Sequence, residues 1–253
     1  HDFFVPFVIE PQKAPEERTY FASDTVHILC IGKYEPRKHH LLLLQVVEEL
    51  LGGRAHAPAG KLPDRFDGGL HSGGAESVSA GENNGEHGKD PGKYKIRLTL
   101  VGEATMAFQK EYCEQVRRYV ADHHMEDIVT VKTNVPRREM EAEYLAADVY
   151  VIPSTREMAS VSQLEAMSYS LPVICSDANG TASYVEDGLT GYQFRDCDRQ
   201  DLSDKLEKML SDRERMKAMG AAGYRALMEK YSFETYQKAI QAMLEKMQEQ
   251  KLY

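Results

Sequence analysis

The chain has no cysteine framework, no membrane-length apolar run and no basic excess, and each absence narrows what it can be. Four cysteines in 253 residues, Cys30, Cys113, Cys175 and Cys197, stand far apart with no C-x-x-C pair. That spacing lacks disulfide-rich density, and it fits a reducing, cytoplasmic setting and no zinc framework. Cys30 and Cys175 lie inside apolar strand patterns and read as buried small hydrophobes. No apolar stretch approaches the roughly 18 residues of a spanning helix, and the opening His1-Asp2-Phe3-Phe4-Val5-Pro6 is too short and wrongly flanked for a signal peptide. The formal charge of −9 argues against a general nucleic-acid surface, which needs clustered cations. Any phosphate chemistry must therefore use a local basic site. The first residue is histidine where an open reading frame would start with methionine, so the chain reads as a piece of a longer protein.

What is present alternates. Residues 1–24, with three prolines and mixed charge, read as an extended lead-in or linker. Apolar runs at 26–31, 96–101, 128–131, 149–152 and 171–175 predict five buried strands, and the helical period recurs over 41–51, 106–123, 138–147 and 162–169. After 191–194, two helices separated near Gly220 to Gly223 are expected to carry the chain on. Residues 52–93 are crowded with Gly, Ser, Ala, Asn and charge; too poor in large apolar groups to offset their ordering entropy, they read as a disordered insertion. Otherwise residues 25–230 read as one α/β domain, a doubly wound parallel sheet covered on both faces. In such a domain the ligand lies beyond the carboxyl ends of the strands.

Those ends carry the candidates. The loop Gly32-Lys33-Tyr34-Glu35-Pro36-Arg37-Lys38-His39 combines a tight glycine turn with cations just before a helix, a combination that can neutralise a diphosphate. Val135 lies at the end of the third strand. Glu157 follows the fourth strand and a Pro153-Ser154 turn, and Met158, Ala159, Ser160 and Val161 lead into a short helix carrying Glu165, eight positions after the first glutamate. The amino end of that helix offers unpaired N–H groups.

Together these segments resemble the E-x7-E and basic-loop motifs of GT-B glycosyltransferases, specifically the retaining family 4. The resemblance covers about residues 25–245 and implies a Rossmann-like domain, the carboxyl-terminal, donor-binding half of a GT-B fold. It implies a nucleotide-sugar partner, linked to UDP or GDP, with no cofactor and no metal. Lys33, standing where the family has arginine, and Lys38 would hold the donor diphosphate, with Gly32 and Arg37 beside them. Glu157 would contact the transferred sugar near its reacting carbon, and Glu165 would accept hydrogen bonds from the ribose hydroxyls. Val135, Met158, Ala159, Ser160 and Val161 would complete the donor site. Residues 231–253 would form a helix crossing back to an amino-terminal acceptor domain, through which any peripheral contact with the cytosolic face of a membrane would run.

The chain departs from the family pattern in three places. Lys33 keeps the charge of arginine but loses its fork, Met158-Ala159-Ser160 replaces an aromatic-glycine segment, and Ser183 stands where a glutamate is expected. These departures keep open a non-catalytic sugar-nucleotide-binding or scaffold subunit; an epimerase or phosphorylase on the same fold is weaker. Asp196-Cys197-Asp198 spells D-x-D but opens a helical region and reads as an acidic helix start. Asn179-Gly180-Thr181 is a glycosylation sequon on the expected binding edge. The pairs His39-His40 and His123-His124 lack partners at ligand spacing, and no metal is assigned.

Overall fold

The computed structural model describes residues 9–52 and 94–249; the segment read as a disordered insertion lies almost wholly outside them. Six strands, β1 (Val26–Ile31), β2 (Ile96–Gly102), β3 (Val129–Thr133), β4 (Val149–Ile152), β5 (Val173–Ser176) and β6 (Gly191–Phe194), form one sheet in the order β3-β2-β1-β4-β5-β6. All neighbouring pairs are parallel, as expected of strands that are apolar on both faces. Ile28 and Cys30 of β1 join the core under helices α1 (His40–Leu50), α2 (Ala107–Asp122) and α5 (Arg199–Leu210), while Leu29 joins the core under α3 (Met140–Ala146) and α4 (Val161–Ser168); α6 (Arg213–Tyr231) supplies Met216 and Met219 to the first core and Leu227 to the second. The strand order reverses between β1 and β4. The helices that follow these two strands, α1 and α4, pack on opposite faces of the sheet, and this switch point is the place where doubly wound folds bind ligands.

Two expectations are corrected. The segment 191–194 is a strand: Tyr192 and Phe194 are buried in the α1/α2/α5 core, but four residues are too few to show a period. The expected helix break at Gly220 to Gly223 is also absent, because α6 runs through both glycines and the breaks fall at Ser211-Asp212 and at Ser232. Gly220 is there for close approach. A β-carbon at that position would stand 2.1 Å from the Ser170 carbonyl oxygen.

The described part of the lead-in, read as an extended linker, is docked on the domain. The buried Arg18 guanidinium donates to the carbonyl oxygens of Tyr169 at 2.8 Å and Tyr144 at 3.0 Å, and also to that of Ala147. It thus caps the carboxyl ends of both α3 and α4, where orphan carbonyls favour a cation. Burial pushes the Arg18 pKa below its usual value. At the other end, α7 (Phe233–Glu249) leans on α6. No side chain from 233 to 248 is buried, and Phe233, Leu244 and Met247 are exposed. Among the described residues, no helix is long and apolar enough to cross a membrane.

The two glycines of α6 differ in what surrounds them. Gly220→Ala should destabilise the domain by about 1–3 kcal/mol through overpacking. Gly223→Ala should be neutral or stabilising by about 0.5–1 kcal/mol, because its nearest neighbour, the Thr190 carbonyl oxygen, lies 3.5 Å away and alanine is the better helix former. Urea unfolding of the two variants checks this contrast.

His40 is fully buried between the rings of Tyr34 and Tyr112, with centroids 4.9 and 5.9 Å away. Burial pushes its pKa down to about 3. Between that value and the unfolded value of about 6.5, the unfolded chain takes up a proton that the folded chain refuses. Stability from this site is therefore lost as pH falls from about 6.5 towards 3, at up to about 1.4 kcal/mol per pH unit. Urea unfolding at several pH values should show a shallower dependence in His40→Phe than in the parent.

Candidate functional site

The loop after β1 is built around a buried ring. Gly32 N–H donates to the Val101 carbonyl at 2.9 Å, and Tyr34 folds fully inside, its hydroxyl donating to the carbonyls of Leu100 and Lys132 at 3.2 and 3.0 Å. Anchored by that side chain, the chain turns through Pro36–Lys38 and reaches His39 at φ 51° before α1 begins. Lys38 is buried, and its aliphatic stem crosses Gly32, where an added β-carbon would stand 3.2 Å from Lys38 Cδ.

The loop after β4 meets this one directly. Thr155 N–H donates to the Arg37 carbonyl at 2.9 Å. Arg37 Nη1 lies 2.9 Å from Glu157 Oε2, and Lys38 Nζ contacts the same oxygen. Arg37 Nε also reaches Glu35 at 2.8 Å. Three of the residues singled out from the sequence, Arg37, Lys38 and Glu157, thus form one cluster at the point where the strand order reverses. Lys33 stands apart from it, half exposed and 3.3 Å from Glu103 at the end of β2.

Glu165 lies on α4, which is capped by Ser160, whose hydroxyl accepts from Gln163 N–H at 3.4 Å. One Glu165 oxygen accepts from Arg137 at 2.7 Å and the other from the Tyr144 hydroxyl at 2.7 Å. Burial first, then the neighbouring Tyr150 and Glu165, push the Tyr144 pKa up, so Tyr144 stays a donor. Arg137, Tyr144, Tyr169 and Glu165, with Val161, line a cavity of about 600 Å³. Gly32, Lys33 and Val135 line an adjacent one of about 450 Å³, and Met140 borders both.

Met158 is 94 % exposed and Ala159 half-buried; both lie on the chain between the two glutamates. The backbone there is braced by Gly180, whose N–H donates to the Glu157 carbonyl at 2.7 Å and whose missing β-carbon leaves room for the Met158 carbonyl, 2.0 Å from where it would stand. The sequon asparagine, Asn179, is buried and hydrogen-bonded to Gln163 at 3.0 Å.

Sequence reasoning did not single out Arg137, Tyr144 or Glu103. Only the Arg137-Arg138 pair at the end of β3, on the binding edge, offered a signal. His39 has no partner at ligand spacing along the chain, and the fold brings Cys197 Sγ to 3.5 Å from its Nε2 atom.

A family model described as glycosyl transferases group 1 matches residues 87–226. A D-inositol 3-phosphate glycosyltransferase from Nocardia farcinica is 29% identical over 156 residues, 57% of this chain and 34% of that protein. A GDP-mannose-dependent alpha-(1-6)-phosphatidylinositol monomannoside mannosyltransferase from Mycobacterium tuberculosis is 32% identical over 121 residues, 44% of this chain and 31% of that protein. The chain thus spans about a third of the length of these curated relatives. Among solved structures, a TarM mutant from S. aureus, in complex with fondaparinux, alpha-GlcNAc-glycerol and UDP, superposes with a TM-score of 0.66 at 16% identity, over 93% of this chain and 38% of that one. The C-terminal domain of a glycosyl transferase group 1 family protein from Francisella tularensis gives 0.61 at 17% identity, over 90% of this chain and 97% of that one. The six-stranded parallel sheet is the Rossmann-like fold of GT-B glycosyltransferases.

Proposed function

The chain belongs to the glycosyl transferases group 1 family, and from that premise we propose that it is the donor-binding half of a retaining, family 4 glycosyltransferase using a UDP- or GDP-sugar. The observation that carries this reading is the placement of the two glutamates. Glu165 is pre-oriented by Tyr144 and Arg137 in the wall of the 600 Å³ cavity, while Glu157 sits at the strand-order reversal among the cations of the β1 loop. The mannosyltransferase relative is GDP-mannose-dependent by name, and the TarM structure contains UDP; each base is known for its own protein.

In this reading the ribose hydroxyls donate to Glu165, and the diphosphate is neutralised by Lys33, Arg37, Lys38 and the amino end of α4. Negative charge grows on the diphosphate as the glycosyl bond breaks, and fixed cations in a crevice stabilise that growth without reorganising. The lysines and arginine supply this charge themselves, so we assign the step no divalent metal. Glu157 orients the sugar. Incoming phosphate oxygens take over Arg37 and Lys38 from Glu157, which frees the carboxylate for the sugar hydroxyls.

A carboxylate accepting from vicinal hydroxyls contributes roughly 1.5–3 kcal/mol. Glu165→Ala should accordingly weaken nucleoside diphosphate binding by about tenfold or more. Glu157→Ala should leave that affinity unchanged or tighter, since it releases two cations, yet it should remove the extra affinity contributed by the sugar. Calorimetry with UDP, GDP and their sugar conjugates measures both. Equal weakening by the two substitutions would mean the roles are wrongly divided.

The retaining transfer also needs an acceptor held against the anomeric carbon, and positioning of this kind can be worth roughly 7–11 kcal/mol of barrier. The 253-residue chain should therefore bind a nucleotide sugar but transfer nothing, whether or not magnesium or manganese is added. Robust product formation by the chain alone would refute the half-enzyme reading. A folded chain that binds no nucleotide would favour a scaffold role, which the exposed Met158 in place of the family's usual residues already suggests as the second reading.

A further inference from the structure

Beside the proposed donor loops, three metal-ligating side chains converge that are far apart in sequence. His39 Nε2 stands 3.5 Å from Cys197 Sγ, and with an Asp196 carboxylate oxygen the three ligand atoms all lie within 4.8 Å of one another. His39 ends the loop after β1, and Asp196 and Cys197 follow β6, so the cluster bridges two loops of the binding edge.

Three observations set this cluster apart from a chance contact. First, His39 and Cys197 both have positive φ, 51° and 59°, a conformation that strains a residue with a β-carbon and tends to mark functional positions; here the two strained residues face each other. Second, Asp196 is held in place. Its Oδ1 accepts from the Ser176 hydroxyl at 3.0 Å and its Oδ2 from the Thr155 hydroxyl at 2.8 Å, the kind of outer support that orients a ligating carboxylate. Each oxygen keeps a further lone pair. Third, the spacing suits a tetrahedral ion: metal bonds of about 2.0 Å to nitrogen and about 2.3 Å to sulfur, at a tetrahedral angle, separate the two atoms by about 3.5 Å.

We propose that His39, Asp196 and Cys197 bind a borderline divalent cation of the zinc type, with a fourth position open to water. Nitrogen, thiolate and carboxylate together select zinc over magnesium or calcium. On binding, the Cys197 S–H bond breaks, its proton leaves to solvent and the sulfur lone pair forms the bond to the metal. The exposed Arg156 is a nearby opposing charge, outweighed by a carboxylate and a thiolate. Cys197 is the exposed cysteine of the four, the other three being buried, so it is the one a dissolved ion can reach. The cation would clamp the β1 loop to the β6 loop one residue from Lys38, and takes no part in the proposed sugar transfer.

The test uses the chelator-stripped chain, titrated with Zn²⁺ by calorimetry and with Co²⁺ by absorption. The expected result is one ion per chain bound at this site, a near-ultraviolet thiolate-to-cobalt band, and a higher melting temperature in Zn²⁺. His39→Gly and Cys197→Gly should each weaken Zn²⁺ binding by roughly 100-fold or more, and the second should abolish the band. Glycine suits positive φ, so both variants should keep the fold, as their metal-free melting curves will show; Cys197→Ser provides a second loss of the thiolate. His124→Gly, at another left-handed histidine with φ 53°, should bind Zn²⁺ as the parent does. The proposal is overturned if the parent binds no Zn²⁺, if cobalt binds without the thiolate band, or if the glycine variants bind Zn²⁺ with parental affinity. Nucleotide binding is measured separately, so failure here leaves the donor reading untouched.

Discussion

The contact of Glu157 with Arg37 and Lys38 is the interaction on which the binding edge depends. Lys38 keeps only 10% of its side chain in solvent and Glu157 15%. Charges so withdrawn from water need partners, because losing one leaves the other buried and uncompensated. The pairing joins the loops after β1 and β4 where the strand order reverses, and the Thr155 N–H to Arg37 carbonyl bond holds their backbones in step. Nucleotide-sugar binding, in the proposed reading, is then an exchange of partners within a formed site. The cations are already in place, and the carboxylate that holds them is the one that next needs to be free.

Close backbone approaches hold the same edge rigid. A β-carbon on Gly102 would stand 2.2 Å from the Gly32 carbonyl oxygen, and one on Gly180 would stand 2.0 Å from that of Met158. These glycines let two pairs of segments, those after β1 and β2 and those after β4 and β5, pass with their backbones nearly touching. That bears on the departure at Met158-Ala159-Ser160: the Met158 side chain lies in solvent and holds nothing, while Gly180 fixes the path of the chain. The substitution therefore changes the surface offered to a sugar more than the position of Glu157.

Much of this was legible in the sequence, for identifiable reasons. Strands buried on both faces show as uninterrupted apolar runs, so β1, β2 and β4 could be read nearly to the residue, and their carboxyl ends located Glu157, Lys38 and Arg37. β6 was too short to have a period. Gly220 was ambiguous, because a glycine that ends a helix and one that lets another chain approach look alike until the neighbour is known; here the neighbour is Ser170. The partners of Glu165 were hidden for a related reason. Arg137 and Tyr144 come from the end of β3 and from α3, and only the parallel pairing of β2 with β3 brings that corner over α4. The cluster of His39, Asp196 and Cys197 likewise has no linear signature, since its two halves follow strands on opposite sides of β4.

The lead-in shows how far the site extends beyond its motifs. Tyr144 is on α3 and Glu165 is on α4, and the hydrogen bond between them holds only if the two helices keep their relative position. Arg18 ties together the carboxyl ends of those same helices, and Ser168 at the end of α4 accepts from the backbone N–H groups of Gln12 and Lys13 at 3.2 and 3.0 Å. Ile9 and Gln12 then line the cavity that Glu165 faces. The described part of the lead-in, whose composition reads as a tether, therefore works as a wall and a brace of the proposed nucleotide pocket. Loss of the Arg18 guanidinium would strip three helix-end carbonyls of their donor at once and loosen the geometry that aims Glu165.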